Sequence, residues 1–263
     1  MTIYEKIKFK IKTQLGLGNL PKVMIIGAAK CGTTSLFHYL CQSYKKFHGS
    51  YDKETRYFSE FNHLPLSYYK AQFTCFPKKI SIEATPDYIF YHKAPEFIKK
   101  AVSNCKFILI LRNPIDRAWS QYKFQRSISK SVYCDPLSFS DAIRQEESRL
   151  YIDDKVRFFS EYKHITYVSR GLYYEQLKRW FSFFPPETTH VMFLENLITS
   201  PAQEIFKLNE FLGIPTSNVI EKMVWKNKSN TGHMSLDDQA YLRLKFEKDS
   251  LKLFKLLNQT PLW

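Results

Sequence analysis

The stretch KVMIIGAAKCGTTSLFHYL, Lys22 to Leu40, constrains this chain more than any other. Val23 to Ile26 is a short apolar run, Gly27 to Gly32 is a turn bounded by glycines, and Leu36, Phe37 and Leu40 follow at helical spacing. A strand that runs through a tight loop into a helix belongs to a parallel sheet covered by helices. The backbone N–H groups of such a loop, with the positive end of the helix dipole, form a site for an anion. The loop departs from the Walker pattern, because Thr33 stands where the lysine belongs and the lysine is Lys30. A plain strand-turn-helix connection is the other reading of the same residues.

Further apolar runs at Ile80 to Glu83, Phe107 to Leu111 and His190 to Leu194 read as buried strands. Helical patterns fall at Thr34 to Cys41, Pro114 to Arg126, Phe139 to Leu150, Tyr173 to Phe184, Pro201 to Leu212 and Leu236 to Leu257. The expected fold is therefore α/β, a P-loop-like three-layer arrangement with a mostly parallel central sheet flanked by helices. Residues 22–263 form one domain in this reading, and residues 1–21 an N-terminal extension. The segment Ser127 to Ser169, less regular around the Phe139 to Leu150 pattern, reads either as a substrate lid or cleft wall or as an ordinary surface helical pair.

A formal charge of +14 over 263 residues calls for an anionic partner. No run approaches the ~20 apolar residues that span a bilayer, and the start MTIYEKIKFKIKTQLGLGNLPK lacks a signal-peptide core. The expected address is cytoplasmic, with no membrane partner. Cys31, Cys41, Cys75, Cys105 and Cys134 lack the spacing of a zinc site or disulfide framework, so they are expected to be reduced thiols. Cys31 has no base beside it in sequence and reads as a small residue filling the turn.

A second anion site is expected in KFILILRNPIDRAWSQY, where Arg112 ends a strand and Ser120 follows on a helix. Arg112 could equally pair with Asp116. Together, AAKCGTTSL and ILILRNPIDRAWSQY resemble the signature of sulfotransferases that use 3′-phosphoadenosine 5′-phosphosulfate, in the heparan-sulfate-type and bacterial branch. SRGLYYEQLKRWFSFFP, VMFLENLITSPAQEIFKLNEFLGIP and LKLFKLLNQTPLW extend the likeness. The resemblance implies that Lys30, Cys31, Gly32, Thr33, Thr34 and Ser35 hold the 5′-phosphosulfate, and that Arg112 and Ser120 hold the 3′-phosphate. No metal is expected, since sulfuryl transfer from this donor needs no bridging magnesium.

YDKETRYFSE resembles the branch's Lys-Glu-x-x-Phe-Phe stretch, which makes Glu54 the expected general base and Lys53 a stabiliser of charge on the transferred group. A surface acid paired with Lys53 or Arg56 is the other reading of Glu54. His48 and His63 are the competing bases. IEATPDYIF resembles a Glu-Lys-Thr-Pro stretch, with Ala84 where that stretch has lysine, which weighs against a heparan-like acceptor. Asp87 and Tyr88 are the expected acceptor-cleft residues, Asp87 suiting a cationic acceptor and Tyr88 reading equally well as core. WKNKSNTGHMS stands in place of the family's late basic loop, which makes Lys226 and Lys228 the candidates for the 3′-phosphate with Gly232 giving the loop freedom; a solvated charged loop is the other reading.

The expected function is a sulfotransferase that modifies a hydroxyl or amine of a small molecule, with an alkaloid toxin of the cyanobacterial kind as the specific case. A glycan sulfotransferase, a metabolite kinase, a donor-binding protein without turnover and a nucleic-acid-binding protein are the alternatives. Nucleic acid is not the expected partner, because most aromatic residues lie in core-like runs rather than among basic clusters.

Overall fold

The structure is a computed structural model, and it describes residues 3–73, 78–127, 134–152, 155–156, 159–215 and 232–263. These residues fall into two compact units. The first comprises Met1–Ala28, Gly32–Leu111 and Phe181–Lys226, and the second Ala29–Cys31, Arg112–Trp180 and Asn227–Trp263.

The first unit is built on a parallel sheet. Its strands are β1 (Val23–Gly27), β2 (Phe47–Gly49), β3 (Ile80–Ala84), β4 (Lys106–Leu111) and, after a short hairpin in the second unit, β7 (Thr189–Phe193). They lie in the order β2-β3-β1-β4-β7, every neighbouring pair parallel. Their apolar residues are buried along nearly their whole length, as expected of strands covered on both faces. This is the P-loop-like α/β fold expected from the sequence, and its flanking helices are α1 (Ile3–Gln14), α2 (Thr33–Ser43), α3 (Leu66–Ala71), α4 (Ala94–Ala101), α10 (Leu194–Thr199) and α11 (Pro201–Leu212). Because β1 pairs with β3 on one side and β4 on the other, the connections diverge beside its carboxyl end. That is where open α/β sheets bind ligands.

The second unit holds α5 (Pro114–Ser127), α6 (Phe139–Arg144), α7 (Glu146–Arg149), the hairpin β5 (Tyr151–Ile152) and β6 (Lys155–Val156), α8 (Phe159–Tyr162), α9 (Tyr173–Phe181) and α12 (Leu236–Leu257). Its core joins Ala118, Phe139, Ala142, Ile143, Tyr167, Leu242 and Phe246. The helix expected over Phe139 to Leu150 is broken at Gln145. Glu146 turns inward there, and its carboxylate accepts the backbone N–H groups of Tyr167, Val168 and Ser169 at 2.5, 2.5 and 2.8 Å. A buried carboxylate needs such donors, and satisfying them overrides the helical pattern.

Asp249 on α12 accepts the N–H of Tyr174 at 3.1 Å and so caps the first turn of α9. Burial pushes its carboxyl up to about 6, against the backbone donors that favour the charged form. The unfolded value is about 3.9, so the folded chain holds this proton more tightly. Stability contributed by the neutral form is complete below about pH 4 and is lost as pH rises through about 6. Chemical denaturation across pH 4 to 7 is therefore expected to show this loss in the wild type and its absence in Asp249→Asn.

Candidate active site

In the first unit the site starts at the amino end of α2. Gly32, at φ 90° and ψ 10°, is the residue before the helix, a conformation that glycine adopts without steric cost. Thr33 and Ser35 are buried, and Thr34 is half-buried. Gly27 ends β1 in a tight place: a Cβ there would lie 2.4 Å from Ile89 Cγ2 and 3.2 Å from Leu109 Cδ1. Gly27→Ala is expected to cost about 1–3 kcal/mol by overpacking, read by denaturant titration.

Lys53 donates to Thr34 Oγ1 at 3.0 Å and pairs with Glu54 at 2.8 Å. Glu54 also faces Arg56 Nε at 3.9 Å, and a third of its side-chain surface is open to solvent (33%). Lys53 therefore touches both Glu54 and the first turn of α2, while Glu54 keeps an accessible face. Both partners weighed for a surface acid are present as well. His48, by contrast, lies on β2 paired with Ser81, and His63 is exposed.

The segment that carries this pair is tied down by the end of β3. Ser50 N–H donates to the Ile82 carbonyl at 2.8 Å, Ala84 N–H to the Lys53 carbonyl at 3.0 Å, and Arg56 N–H to Thr85 Oγ1 at 3.2 Å. Beneath it, Glu83 is wholly buried. Its carboxylate accepts the hydroxyls of Thr55 at 2.6 Å, Thr85 at 3.0 Å and Tyr88 at 3.4 Å, and that of Tyr69 as well. Burial pushes the Glu83 carboxyl up, while these hydroxyls pull toward the ionised form. Glu83 was passed over in the sequence reading, although a glutamate inside an apolar run between two strand-like residues was a legible signal. Glu83→Gln places an amide donor among groups that donate. Such a mismatch is expected to cost about 1–3 kcal/mol of stability, read by denaturant titration.

Tyr88 has no exposed surface, its ring packing on Phe58 and its hydroxyl lying 3.0 Å from Thr55 Oγ1. It can shape a cleft only through its neighbours. Asp87 is nearly buried, and its carbonyl accepts the N–H groups of Phe90 and Tyr91 at 3.2 and 2.8 Å.

In the second unit, Lys30 holds a left-handed backbone at φ 69°. For a residue with a side chain this costs about 1–2 kcal/mol, and such strain persists where surrounding contacts impose it. The contacts are clear. Arg112 Nη1 donates to the Lys30 carbonyl at 3.4 Å, and Lys30 Nζ stands 3.9 Å above the Phe124 ring of α5. Among the described residues no carboxylate lies within ion-pair distance of Arg112, so the pairing with Asp116 is not made.

Tyr173, fully enclosed at the start of α9, donates its hydroxyl to the Arg112 carbonyl at 3.0 Å and lies 3.8 Å from Cys31 Sγ. Cys31 is fully buried, which fits a residue filling the turn. On α5, Asn113 Oδ1 accepts the N–H of Ile115 at 3.0 Å ahead of Pro114 in the first turn, and Ser120 is buried along the same helix. Burial, then the nearby Arg112 charge, pushes Lys123 below the usual ammonium range. Lys30, Arg112 and Lys123 thus gather positive charge on one unit, a field suited to an anion. Lys123 and Tyr173 were not among the expected site residues, since neither stands in a position that spacing alone would single out.

Trp119 Nε1 donates to the Gly232 carbonyl at 3.1 Å, which ties the end of the late loop to α5. Lys226 and Lys228 lie outside the described residues.

With this geometry in place, the comparisons are decisive about kinship. The family model described as Sulfotransferase domain matches residues 20–239. The chain belongs to the sulfotransferase family. It is 25% identical to the membrane-associated sulfotransferase kil1 of Dictyostelium discoideum over 93% of this chain and 66% of that one. It is 29% identical to the human heparan sulfate glucosamine 3-O-sulfotransferase 5, over 74% of this chain and 54% of that one. The chain thus spans between about half and two thirds of the length of these curated relatives.

The crystal structure of a sulfotransferase from Alicyclobacillus acidocaldarius superposes with a TM-score of 0.75 at 26% identity, over 92% of this chain and 97% of that one. Mouse SULT7A1, solved with PAP, shares the fold at a TM-score of 0.54 and 14% identity, over 95% of this chain and 90% of that one. Among the described residues no helix is long and apolar enough to cross a membrane.

Proposed function

We propose that residues 22–263 act as a sulfotransferase domain that moves a sulfuryl group from 3′-phosphoadenosine 5′-phosphosulfate to a hydroxyl or amine of a small-molecule acceptor. The observation that carries this reading is the bond from Arg112 to the Lys30 carbonyl, 3.4 Å long, which brings together one residue from each of the two motifs. A ligand with phosphate at both ends of an adenosine is the economical match for two such motifs. Lys30 through Ser35 would receive the phosphosulfate end, and Arg112, Ser120 and Lys228 the 3′-phosphate.

The donor supplies an activated sulfuryl group whose bond to phosphate breaks as the bond to the acceptor forms. Glu54 takes the acceptor's proton, and its exposed face together with the Lys53 contact favours that role. Lys53 and Lys30 offset negative charge on the transferred group and on the leaving phosphate. Neither step needs a metal ion. Asp87 is assigned to the acceptor side, with Tyr88 supporting it from the core. The small-molecule acceptor is preferred to a heparan-like glycan because Ala84 brings no cation to the end of β3. Among the described residues Cys31, Cys41, Cys105 and Cys134 are not joined in disulfides, in keeping with a reducing, cytoplasmic address.

Calorimetric titration with 3′-phosphoadenosine 5′-phosphate is expected to show binding that ATP and duplex DNA do not match. Glu54→Gln should lose about 10²–10⁴-fold in turnover with nucleotide affinity intact. Arg112→Ala should weaken nucleotide binding by about tenfold or more, as loss of a charge-assisted hydrogen bond does. A variant pair with these effects exchanged would overturn the assigned roles.

A further inference from the structure

The amino-terminal helix α1 presents an apolar stripe that the rest of its unit does not cover. Ile7 and Ile11 stand one turn apart, and Leu15 continues the row just past the helix end, with 54%, 49% and 65% of their surfaces exposed. Leu17, 52% exposed, follows Gly16 beyond the helix end. Lys8 and Lys10 are exposed too, and at 100° per residue they fall on opposite flanks of the row.

The opposite face of the helix is anchored. Phe9 packs edge-on against Tyr68 at 5.2 Å and Tyr51 at 6.3 Å. Lys12 reaches inward and donates to the carbonyls of Ala71 and Phe73 at 2.8 and 2.9 Å. The stripe is therefore held outward by a fixed docking of the helix rather than left on a frayed end.

We propose that α1 is an interfacial helix that seats this protein on an anionic lipid bilayer, with Ile7, Ile11, Leu15 and Leu17 among the upper acyl chains and Lys8 and Lys10 at the phosphate level. Charge complementarity selects this occupant. Lys8 and Lys10 are both exposed, in a segment, IYEKIKFKIKTQ, with a single glutamate and in a chain of formal charge +14. A second copy docked stripe to stripe would bring those lysines together, whereas lipid phosphates neutralise them and acyl chains take the apolar row. A nucleic-acid backbone would satisfy the lysines and leave the isoleucines in water. The sequence expectation of no membrane partner came from the lack of an apolar span, and a helix lying in the interface plane needs none. The inference does not rest on the reaction proposed above.

The test is flotation of the full chain with vesicles of phosphatidylcholine alone and of phosphatidylcholine mixed with phosphatidylglycerol. The wild type is expected to float with the mixed vesicles, and each of Lys8→Ala and Lys10→Ala to weaken this about fivefold. The double change Ile7→Asp and Ile11→Asp should abolish flotation with the melting temperature unchanged, since both side chains already face solvent. Failure of the wild type to float, or equal flotation by the double aspartate variant, would overturn the proposal. So would sedimentation showing a dimer that this variant dissociates.

Discussion

The bond from the Arg112 guanidinium to the Lys30 carbonyl is the constraint around which the second unit's candidate anion site is built. It holds a lysine in a left-handed backbone that an unsupported loop would avoid. Tyr173 fixes Arg112 from behind, and its hydroxyl has no water to turn to because the residue is fully enclosed. Lys30, Arg112 and Lys123 then stand as like charges on one unit, which disfavours the empty state and favours an anion that neutralises them. Donors set in advance of the ligand cost no reorganisation when it binds.

The first unit sets two neighbouring carboxylates in opposite environments. Glu83 is sealed inside a ring of hydroxyls and serves as an anchor, and Glu54, one residue before the anchored Thr55, keeps contact with solvent and with Lys53. A pair of acids whose surroundings differ this much takes different roles. The rigid one defines where the accessible one can stand.

Much of the sheet was legible because buried parallel strands are written as continuous apolar runs, and β1, β3, β4 and β7 fall within a residue of the expected bounds. Helices α11 and α12 match their patterns end to end, with Pro201 opening one and Ser235 capping the other. The three-residue β2 was missed, being too short for any period to show. Leu194, expected to end a strand, opens α10 instead. The helix expected to reach Phe184 stops at Phe181, ahead of the Pro185-Pro186 pair that no helix can run through. Helix α1 was passed over because its apolar row faces outward, so it resembles neither a core helix nor a membrane span.

By itself the sequence determined the fold class, the family and the loop that opens α2, because strand hydrophobicity, glycine spacing and motif residues are local properties that survive without neighbours. It also singled out Lys30 and Arg112 by residue type and place, and Glu54 by the likeness of its stretch to a family motif. Only the tertiary structure decided that Arg112 bonds the Lys30 carbonyl rather than Asp116, that Glu83 anchors the segment bearing Glu54, and that Tyr88 is core. Those outcomes depend on which groups burial deprives of water and which partners then lie within hydrogen-bond reach, and residues far apart in the chain settle both.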